Sequence, residues 1–252
     1  MSIFAGKMLT AGRKKELRNL KQKKYRQRYG QFLVEGEKSV LELCNSNYPI
    51  QEILVTKTTF EKIGDKLDVS KLLIISEKEF EQISNQETPQ GIIAVSNFKE
   101  TLLEDVNFKN KIVLMLDGIS DPGNMGTIIR VADWYGIDDI IASPDCVDIY
   151  NPKTISSTMG SFLRINVCYQ RLETVLSDLS VESYACVMNG INVHSISKPN
   201  QGIIIIGNEA NGVSESVLQI ATHKITIPRY GMAESLNAAI ATAIVCDSFI
   251  AR

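Results

Sequence analysis

Asn124, Gly126 and Arg130 stand at a spacing that suits the binding of an anion or a phosphate group. They follow a Pro-Gly turn in the segment DPGNMGTIIR, whose later residues are typical of a helix. Side chains on a helix tilt toward its N-terminus, so Arg130 would lean over position 126, where glycine leaves space. A guanidinium binds two phosphate oxygens at once, and the free N–H groups of a helix start favour anions. The trio therefore predicts an anion site, with an N-cap role for Asn124 and a salt bridge for Arg130 as the alternative.

A second segment with chemical potential is IGNEANGVS, residues 206–214, which follows a run of isoleucines. Its glycines and asparagines allow tight or left-handed backbone, which can turn backbone groups toward a ligand close above. Glu209 would place a carboxylate at the mouth of an apolar pocket. An ordinary connection between a strand and a helix, with Ser214 as the next N-cap, explains the same residues.

The third segment, ITIPRYGMAESLNAAIATAIVCD, contains a strand end at Pro228 and then a short loop. The loop reaches Ser235, Leu236 and Asn237 and is followed by an alanine-rich helix. Because its side chains are small, this helix can pack very closely on a partner surface. A helix of the protein core accounts for the alanines equally well, and Ser235 is also a candidate N-cap.

Strands and helices alternate along the chain, which predicts an α/β fold. The second half has near-continuous apolar runs, typical of parallel strands that are buried on both faces under covering helices. These runs occupy residues 111–117, 138–143, 184–190, 202–209 and 224–228. Ligands of such sheets bind beyond the carboxyl ends of the strands, where all three candidate segments would lie.

A polar segment at residues 96–111 has no strong period and predicts a domain boundary. We expect a first domain of residues 1–106, with helices on both faces of a small sheet, and a second domain of residues 107–252. The first domain would begin with one basic helix over residues 9–29.

Charge is distributed unevenly, although the net charge of the whole chain is only −2. Residues 1–30 hold ten Lys and Arg residues and one acid, Glu16, whereas the rest of the chain carries 17 basic and 28 acidic residues. A basic N-terminal arm on an acidic body indicates a polyanionic partner. A solvated, lysine-rich helix face explains the arm equally well.

The five cysteines show neither a CxxC motif nor metal-ligand spacing. We therefore expect free, buried thiols in the reducing cytoplasm and no bound metal. The sequence contains no apolar run as long as a membrane span and no signal peptide, so we expect no membrane association. His194 and His223 stand far apart and are interpreted as incidental.

Taken together, the three segments resemble the signature motifs of the SpoU (TrmH-type) RNA ribose 2′-O-methyltransferases, within the SPOUT superfamily. NMGTIIR matches the family's N-x-G-x-x-x-R, GNEANGV is similar to its second motif, and IPRYGMAESLNAAIATA is similar to its third. The N-terminal segment YRQRYGQFLVEGEKSV resembles the family's substrate-binding domain, a small α/β/α fold related to RNA-binding ribosomal proteins. Arg229 departs from the pattern, because many relatives carry methionine there.

The resemblance implies an α/β catalytic domain with a deep trefoil knot, and S-adenosylmethionine as the cofactor. Backbone groups near Gly207, Ile227 and Leu236 would hold the adenine, and Asn208 and Asn189 are further expected cofactor contacts. The family works as a homodimer through its C-terminal helices, a role that the alanines of residues 236–243 fit.

The resemblance also implies a reaction, for which the residues suggest roles. The methyl group of a sulfonium is already activated, so the enzyme needs no metal and must place the 2′ oxygen in line with the S–CH₃ bond. We expect Arg130 to act as a phosphate clamp, because a guanidinium does not release its proton. Asn124 would orient Arg130 or the ribose, while Glu209, Ser235 and Asn237 complete a hydrogen-bonding cage. Glu209 as general base is the alternative.

Ribosomal RNA is the favoured substrate, because a separate N-terminal RNA-binding domain is expected. Transfer RNA is the alternative within the same reaction class, and a methylase that confers antibiotic resistance is a narrower variant. A non-catalytic RNA-binding assembly factor with the same fold is a different class, which the intact motif residues argue against. A dinucleotide-binding oxidoreductase is disfavoured, because GxGxxG and its ribose-binding acid are missing.

Overall fold

The computed structural model describes residues 9–250, which fold into two compact units. The first unit comprises the chain up to Lys99 and a second piece, Tyr150–Leu163, while the remaining residues form the second unit. The change of unit at residues 99–100 lies within the polar segment. The domain limits at residues 106 and 107 stay a prediction, and they did not anticipate the return of residues 150–163 to the first unit.

The strands and helices are numbered in chain order. The strands are β1 Gln31–Glu35, β2 Ile50–Thr56, β3 Leu72–Ile75, β4 Ile92–Asn97, β5 Ile112–Asp117, β6 Asp139–Ala142, β7 Asn166–Tyr169, β8 Ser183–Asn192, β9 Gly202–Gly207 and β10 His223–Thr226. The helices are α1 Ala11–Asn19, α2 Lys23–Tyr29, α3 Glu37–Cys44, α4 Lys57–Ile63, α5 Glu77–Ile83, α6 Pro122–Tyr135, α7 Pro152–Thr158, α8 Leu172–Asp178, α9 Glu215–Leu218 and α10 Ala238–Ile250.

The first unit is built on a four-stranded mixed sheet of order β1-β4-β2-β3. Strand β4 runs antiparallel to β1 and β2, and β3 runs parallel to β2. Alternate apolar side chains of these strands pack in a buried cluster on one face of the sheet. Leu17 and Leu20 of the N-terminal segment belong to the same cluster. Burial of these leucines fastens the basic segment to the sheet.

The basic segment forms two helices, so the prediction of one helix over residues 9–29 was wrong. The reason is Arg26, which is only 2% exposed. Its guanidinium donates to the carbonyl oxygens of Leu20 and Lys21, each at 2.9 Å. These carbonyls follow the end of α1. Because the buried guanidinium donates hydrogen bonds to them, it stabilises the turn at residues 20–22 between the helices.

The second unit contains a six-stranded sheet of order β10-β8-β9-β5-β6-β7. Every pairing described in it is parallel, which confirms the predicted α/β fold with a mostly parallel C-terminal sheet. The central strands β5 and β9 are almost entirely buried, as their continuous apolar runs predict. Strand β7 was missed by the sequence analysis. It is a short strand at the sheet edge.

Helix α10 packs against α6, and the Tyr135 hydroxyl of α6 donates to the Asp247 carboxylate of α10 at 3.1 Å. The buried residues of α10 include Ala238, Ala239 and Thr242, which are small enough for close approach of the helix backbone. Over residues 9–250, none of the helices combines the length and the apolar character needed to cross a membrane.

Candidate active site

A cavity of about 710 Å³ lies beyond the ends of strands β9 and β10. Its volume is typical of a site for a small molecule or cofactor. The second and third candidate segments supply most of its wall, and β8 supplies the rest. The lining residues from the predicted site are Gly207, Asn208, Glu209, Ile227, Ser235 and Leu236.

The side chain of Asn124 connects the three candidate segments. Its amide nitrogen donates to the Glu209 carboxylate, and its amide oxygen accepts from the amide nitrogen of Asn237 at 2.8 Å. The partners lie 85 and 113 residues away along the chain. The structure therefore brings Asn124, Glu209 and Asn237 into one hydrogen-bonded group, which we call the asparagine bridge.

Asn124 is available for this bridge because it does not cap helix α6. Asp121 is the N-cap, and its carboxylate accepts from the Asn124 backbone N–H at 2.8 Å. Pro122 occupies the first turn, where its missing N–H costs nothing. The N-cap interpretation of Asn124 was wrong, because the acid three residues earlier takes that position.

Asn237 has two functions in the structure. Besides its bond to Asn124, its side-chain oxygen accepts from the backbone N–H groups of Ala239 and Ile240, at 3.0 and 3.3 Å. It therefore satisfies the free N–H groups at the start of α10. The alternative of Ser235 as N-cap was wrong, since the helix begins later, at Ala238.

Arg130 lies on the exposed side of α6. Within residues 9–250, its guanidinium forms neither a hydrogen bond nor an ion pair, so the salt-bridge alternative finds no partner there. It follows Asn124 by six residues, which corresponds to about 9 Å along the helix axis. A guanidinium without a protein partner is available to an external anion, and the role of phosphate clamp stays a prediction.

Asn208 stabilises the loop that carries Glu209. Its amide nitrogen donates to the Gly118 carbonyl at 2.7 Å, and its amide oxygen accepts from the Ala210 N–H at 2.8 Å. A Cβ added at Gly207 would lie 2.2 Å from the carbonyl carbon of Gly212, so only glycine fits there. The side chain of Asn208 is thus engaged within the protein, although the residue lines the cavity.

Asp117 was missed by the sequence analysis. It ends strand β5 and is 9% exposed, and its carboxylate accepts from the Ser214 backbone N–H at 2.7 Å. That bond holds the far end of the loop after β9. The signal that could have found Asp117 is a charged residue at the end of the apolar run IVLML, where burial requires a hydrogen-bond partner.

Strand β8 protrudes from the sheet beside the cavity. It pairs with β10 at Ala185 and again at Ile191, while the partners in β10 are the consecutive residues 224 and 225. The intervening residues 186–190 therefore lie outside the ladder, and Cys186 and Met188 line the cavity. Asn189 is exposed and lies outside this lining, so the geometry gives no support to its expected contact with the cofactor.

Burial raises the pKa of Cys186 to about 11, so its thiol stays protonated at neutral pH and forms part of the cavity wall. Gly190 is the last residue of the segment that lies outside the ladder. A Cβ at this position would lie 2.6 Å from the Lys224 carbonyl oxygen, so the two strands approach each other through a glycine.

The loop between β10 and α10 forms the outer wall of the cavity. Arg229 donates to the Ala233 carbonyl at 3.4 Å, a bond within the loop itself. Tyr230 and Met232 are 95% and 96% exposed. Among residues 9–250, no group of three or more His, Cys, Asp or Glu residues is arranged to hold a metal ion.

Comparison with known proteins gives matches over both units. Residues 111–247 match the SpoU rRNA Methylase family, and residues 13–94 match the MRM3-like substrate binding domain. The chain is 34% identical over 236 residues to the 23S rRNA (guanosine(2553)-2′-O)-methyltransferase RlmP of Bacillus subtilis. That alignment covers 92% of this chain and 93% of RlmP.

Solved structures also resemble the chain over nearly its whole length. The AdoMet-bound rRNA methyltransferase from Sinorhizobium meliloti is 28% identical, with a TM-score of 0.86 and coverage of 96% of this chain and 95% of that one. The SpoU methyltransferase AviRb from Streptomyces viridochromogenes, in complex with AdoMet, is 21% identical with a TM-score of 0.87, and this match concerns the fold alone.

Proposed function

The chain belongs to the SpoU rRNA methylase family, and we propose that it methylates a ribose 2′-hydroxyl of ribosomal RNA. In this proposal the asparagine bridge positions the ribose for the reaction. As a member of this family, it is an RNA 2′-O-methyltransferase that uses S-adenosylmethionine. The single observation that supports the proposed site is the joining of all three motif segments by Asn124.

The cavity suits this cofactor in size and in chemistry. Ile206, Ile227 and Leu236 provide apolar surface for a flat base, while Glu209 and Thr226 add polar groups at separate points. Backbone groups of the loops after β9 and β10 are available for hydrogen bonds to the adenine. The cofactor supplies a methyl group on a positively charged sulfur.

The residues of the chain then have to position the ribose and accept its proton. Glu209 is held through one carboxylate oxygen by Asn124, and the other has no partner within residues 9–250. That free oxygen can accept a hydrogen bond from the 2′-hydroxyl and orient it, which also keeps Glu209 as the alternative general base. Positioning of this kind supplies up to roughly 7–11 kcal/mol in favourable systems.

Arg130 would hold an RNA phosphate and stabilise the negative charge that develops on the 2′ oxygen. Its exposed guanidinium without a protein partner supports this role. Ser235 lines the cavity and is proposed to complete the cage with Asn237.

The test uses purified protein, labelled S-adenosylmethionine and ribosomal RNA that lacks the modification. Arg130→Ala should lose most methyl transfer and still bind the cofactor in calorimetry, because the guanidinium acts on the RNA. Near-normal turnover of Arg130→Ala would overturn its proposed role. Absence of cofactor binding by the wild-type protein would overturn the proposed site.

Ribosomal RNA is preferred over transfer RNA because two relatives that cover most of the chain, RlmP and the 23S rRNA (uridine(2479)-2′-O)-methyltransferase of Streptomyces viridochromogenes, are named as ribosomal RNA enzymes. Mapping of 2′-O-methyl positions in RNA from cells with and without the protein distinguishes the two substrates. A changed position in transfer RNA alone would refute the preference.

We also propose a homodimer formed through helices α6 and α10. These helices pack together, and their outer surface exposes Trp134 at 83% and Ile240 at 52%. Exposed apolar side chains of this size favour a protein contact. Light scattering on Trp134→Glu should show a shift from dimer to monomer.

Three further properties are proposals. A trefoil knot is expected from family membership, and the return of the chain to β8 and β10 at one sheet edge is compatible with it. A cytoplasmic location is supported by five free cysteines. Catalysis without a metal is supported by the intrinsic reactivity of a sulfonium.

A further inference from the structure

Some cations of the N-terminal helices stabilise the first unit by forming ion pairs with its other elements. Arg13 of α1 forms an ion pair with Glu52, with Nη2 at 2.5 Å from the carboxylate and Nε donating at 2.7 Å. Lys14 forms an ion pair with Glu79 at 3.1 Å. Both acids lie far away in sequence, on β2 and α5, so these two cations attach α1 to the rest of the unit.

Two more cations stabilise the junction of α1 and α2. The Lys21 ammonium donates to the Ser84 carbonyl at 2.9 Å, and Arg26 is buried against the backbone of the turn. Arg26 cannot leave the carbonyls of this turn without leaving a buried charge unsatisfied. Lys21 is exposed, but its ammonium is already engaged by a carbonyl of the same unit.

Lys23, Lys24 and Arg28 of α2 behave differently. All three are exposed, and within residues 9–250 none forms an ion pair. Helix α2 contains no acid, so its positive charges repel one another, and Lys24 and Arg28 stand one turn apart. Both lysines also lie in the first turn, where the helix dipole disfavours cations. Local electrostatics oppose this arrangement, and no acidic side chain within residues 9–250 compensates for it.

Aromatic rings hold two of these cations in place. The Lys24 ammonium lies 4.9 Å from the centroid of the Tyr25 ring, and the Arg28 guanidinium lies 5.7 Å from that of Tyr29. The rings are nearly parallel, at 13°, with centroids 6.3 Å apart. Tyr29 in turn packs against the buried cluster of the first unit. Two of the three charges thus lie beside aromatic rings of their own helix.

We propose that Lys23, Lys24 and Arg28, with the adjoining Tyr25 ring, form the surface of the first unit that contacts the RNA substrate. We call it the α2 cationic face. This inference rests on the proposed function, and it assigns the contact with the polyanion to α2. Lys15 and Arg18 of α1 are exposed as well, but no aromatic ring of the described residues lies beside them. Cations beside a partly exposed aromatic ring suit RNA, because phosphates bind the cations and bases can stack on the ring.

The experiment measures binding of a labelled, mixed-sequence oligoribonucleotide by fluorescence anisotropy, using the full chain. Lys23→Gln/Lys24→Gln/Arg28→Gln should weaken binding about tenfold. Its logarithmic salt slope, taken between about 50 and 200 mM, should fall in magnitude by about two, since each phosphate contact with a single strand contributes about 0.7.

The matched control is Lys62→Gln/Lys66→Gln/Lys78→Gln, which removes three exposed lysines of the same unit that likewise form no ion pair within residues 9–250. It changes the net charge equally, and its salt slope should stay near that of the wild type. A variant that keeps the cations, Lys23→Arg/Lys24→Arg/Arg28→Lys, should bind RNA like the wild type. Thermal unfolding of every variant confirms that the first unit is intact.

Equal salt slopes for the α2 variant and the lysine control would overturn the α2 cationic face. An equal loss of affinity in both variants would overturn it too, because net charge alone would then explain binding. Cofactor binding and methyl transfer by the wild type are measured in parallel. If these fail, the proposed function fails, whereas intact transfer with an unchanged slope refutes only the α2 face.

Discussion

The candidate active site and the α2 cationic face use polar residues in opposite ways. In the site, Asn124, Glu209 and Asn237 come from distant segments and satisfy one another. In the α2 face, neighbouring residues carry like charges that form no ion pair within residues 9–250. Polar groups that are hydrogen-bonded to one another fix the geometry of a site, whereas exposed, mutually repelling charges are left for a ligand from outside the protein.

The largest expected effect is loss of catalysis when the asparagine bridge is broken. Asn124→Ala removes both links at once, so methyl transfer should fall by about 10²-fold, as for loss of one oriented hydrogen-bonding group in an active site. Single-turnover assays measure this, and calorimetry should show that cofactor affinity changes much less. Thr127→Ala, on the exposed side of the same helix, is the control. Equal losses for both variants would contradict the role of the bridge.

The next effect concerns the backbone of the cavity wall. Gly190→Ala would force a methyl group against the Lys224 carbonyl, so β8 or β10 must move. We expect a stability loss of about 1–3 kcal/mol, as for other overpacked sites, together with weaker cofactor binding. Urea unfolding and calorimetry provide the two readouts. Gly231→Ala, with nothing near its added Cβ, should leave stability unchanged.

A smaller effect on the free energy of unfolding distinguishes the cations that form ion pairs in the first unit from the exposed cations of the α2 face. Arg13→Gln breaks the half-buried ion pair with Glu52, which should lower the free energy of unfolding by about 1 kcal/mol. Lys24→Gln relieves repulsion and should raise it by a few tenths of a kcal/mol or leave it unchanged. Urea unfolding measures both variants. A larger loss for Lys24→Gln than for Arg13→Gln would contradict the division of the cations.

The smallest effect is a dependence of stability on pH through Glu79. The hydrogen bond from Lys14, followed by those from Ser76, holds the pKa of this carboxylate below its usual range. A lowered pKa in the folded state stabilises the fold above the unfolded pKa, and this contribution is lost as pH falls through the folded value. Lys14→Gln should reduce this contribution to the free energy of unfolding by less than about 1 kcal/mol, since solvent screens the pair. Unfolding curves of both proteins from neutral to acidic pH should converge.

Much of the fold was predictable because it follows from local patterns. The buried parallel strands of the second unit are continuous apolar runs, and residues at their ends carry the motifs. The split between α1 and α2 was not predictable, since it depends on a buried Arg26 that binds carbonyl oxygens across a turn. Likewise, the return of residues 150–163 to the first unit depends on tertiary packing that no periodicity encodes.

Within the site, the segments were found from their residue types, but their internal roles were not. Asn208 was expected at the cofactor, and its side chain braces the loop by bonding to Gly118. Asn124 was weighed as a cap, and Asp121 holds that position. Residue type shows what a side chain can bond, whereas the chosen partner depends on which strand ends lie side by side.

Asn237 couples order in a helix to order in the site. Because one amide group both starts α10 and donates to Asn124, fraying of the first helical turn would leave the Asn124 amide held only by Glu209 and so loosen the orientation of that carboxylate. A contact that steadies the beginning of α10 would therefore act on a carboxylate that it never touches. The orientation of a site carboxylate thus depends on the local stability of one helix N-terminus.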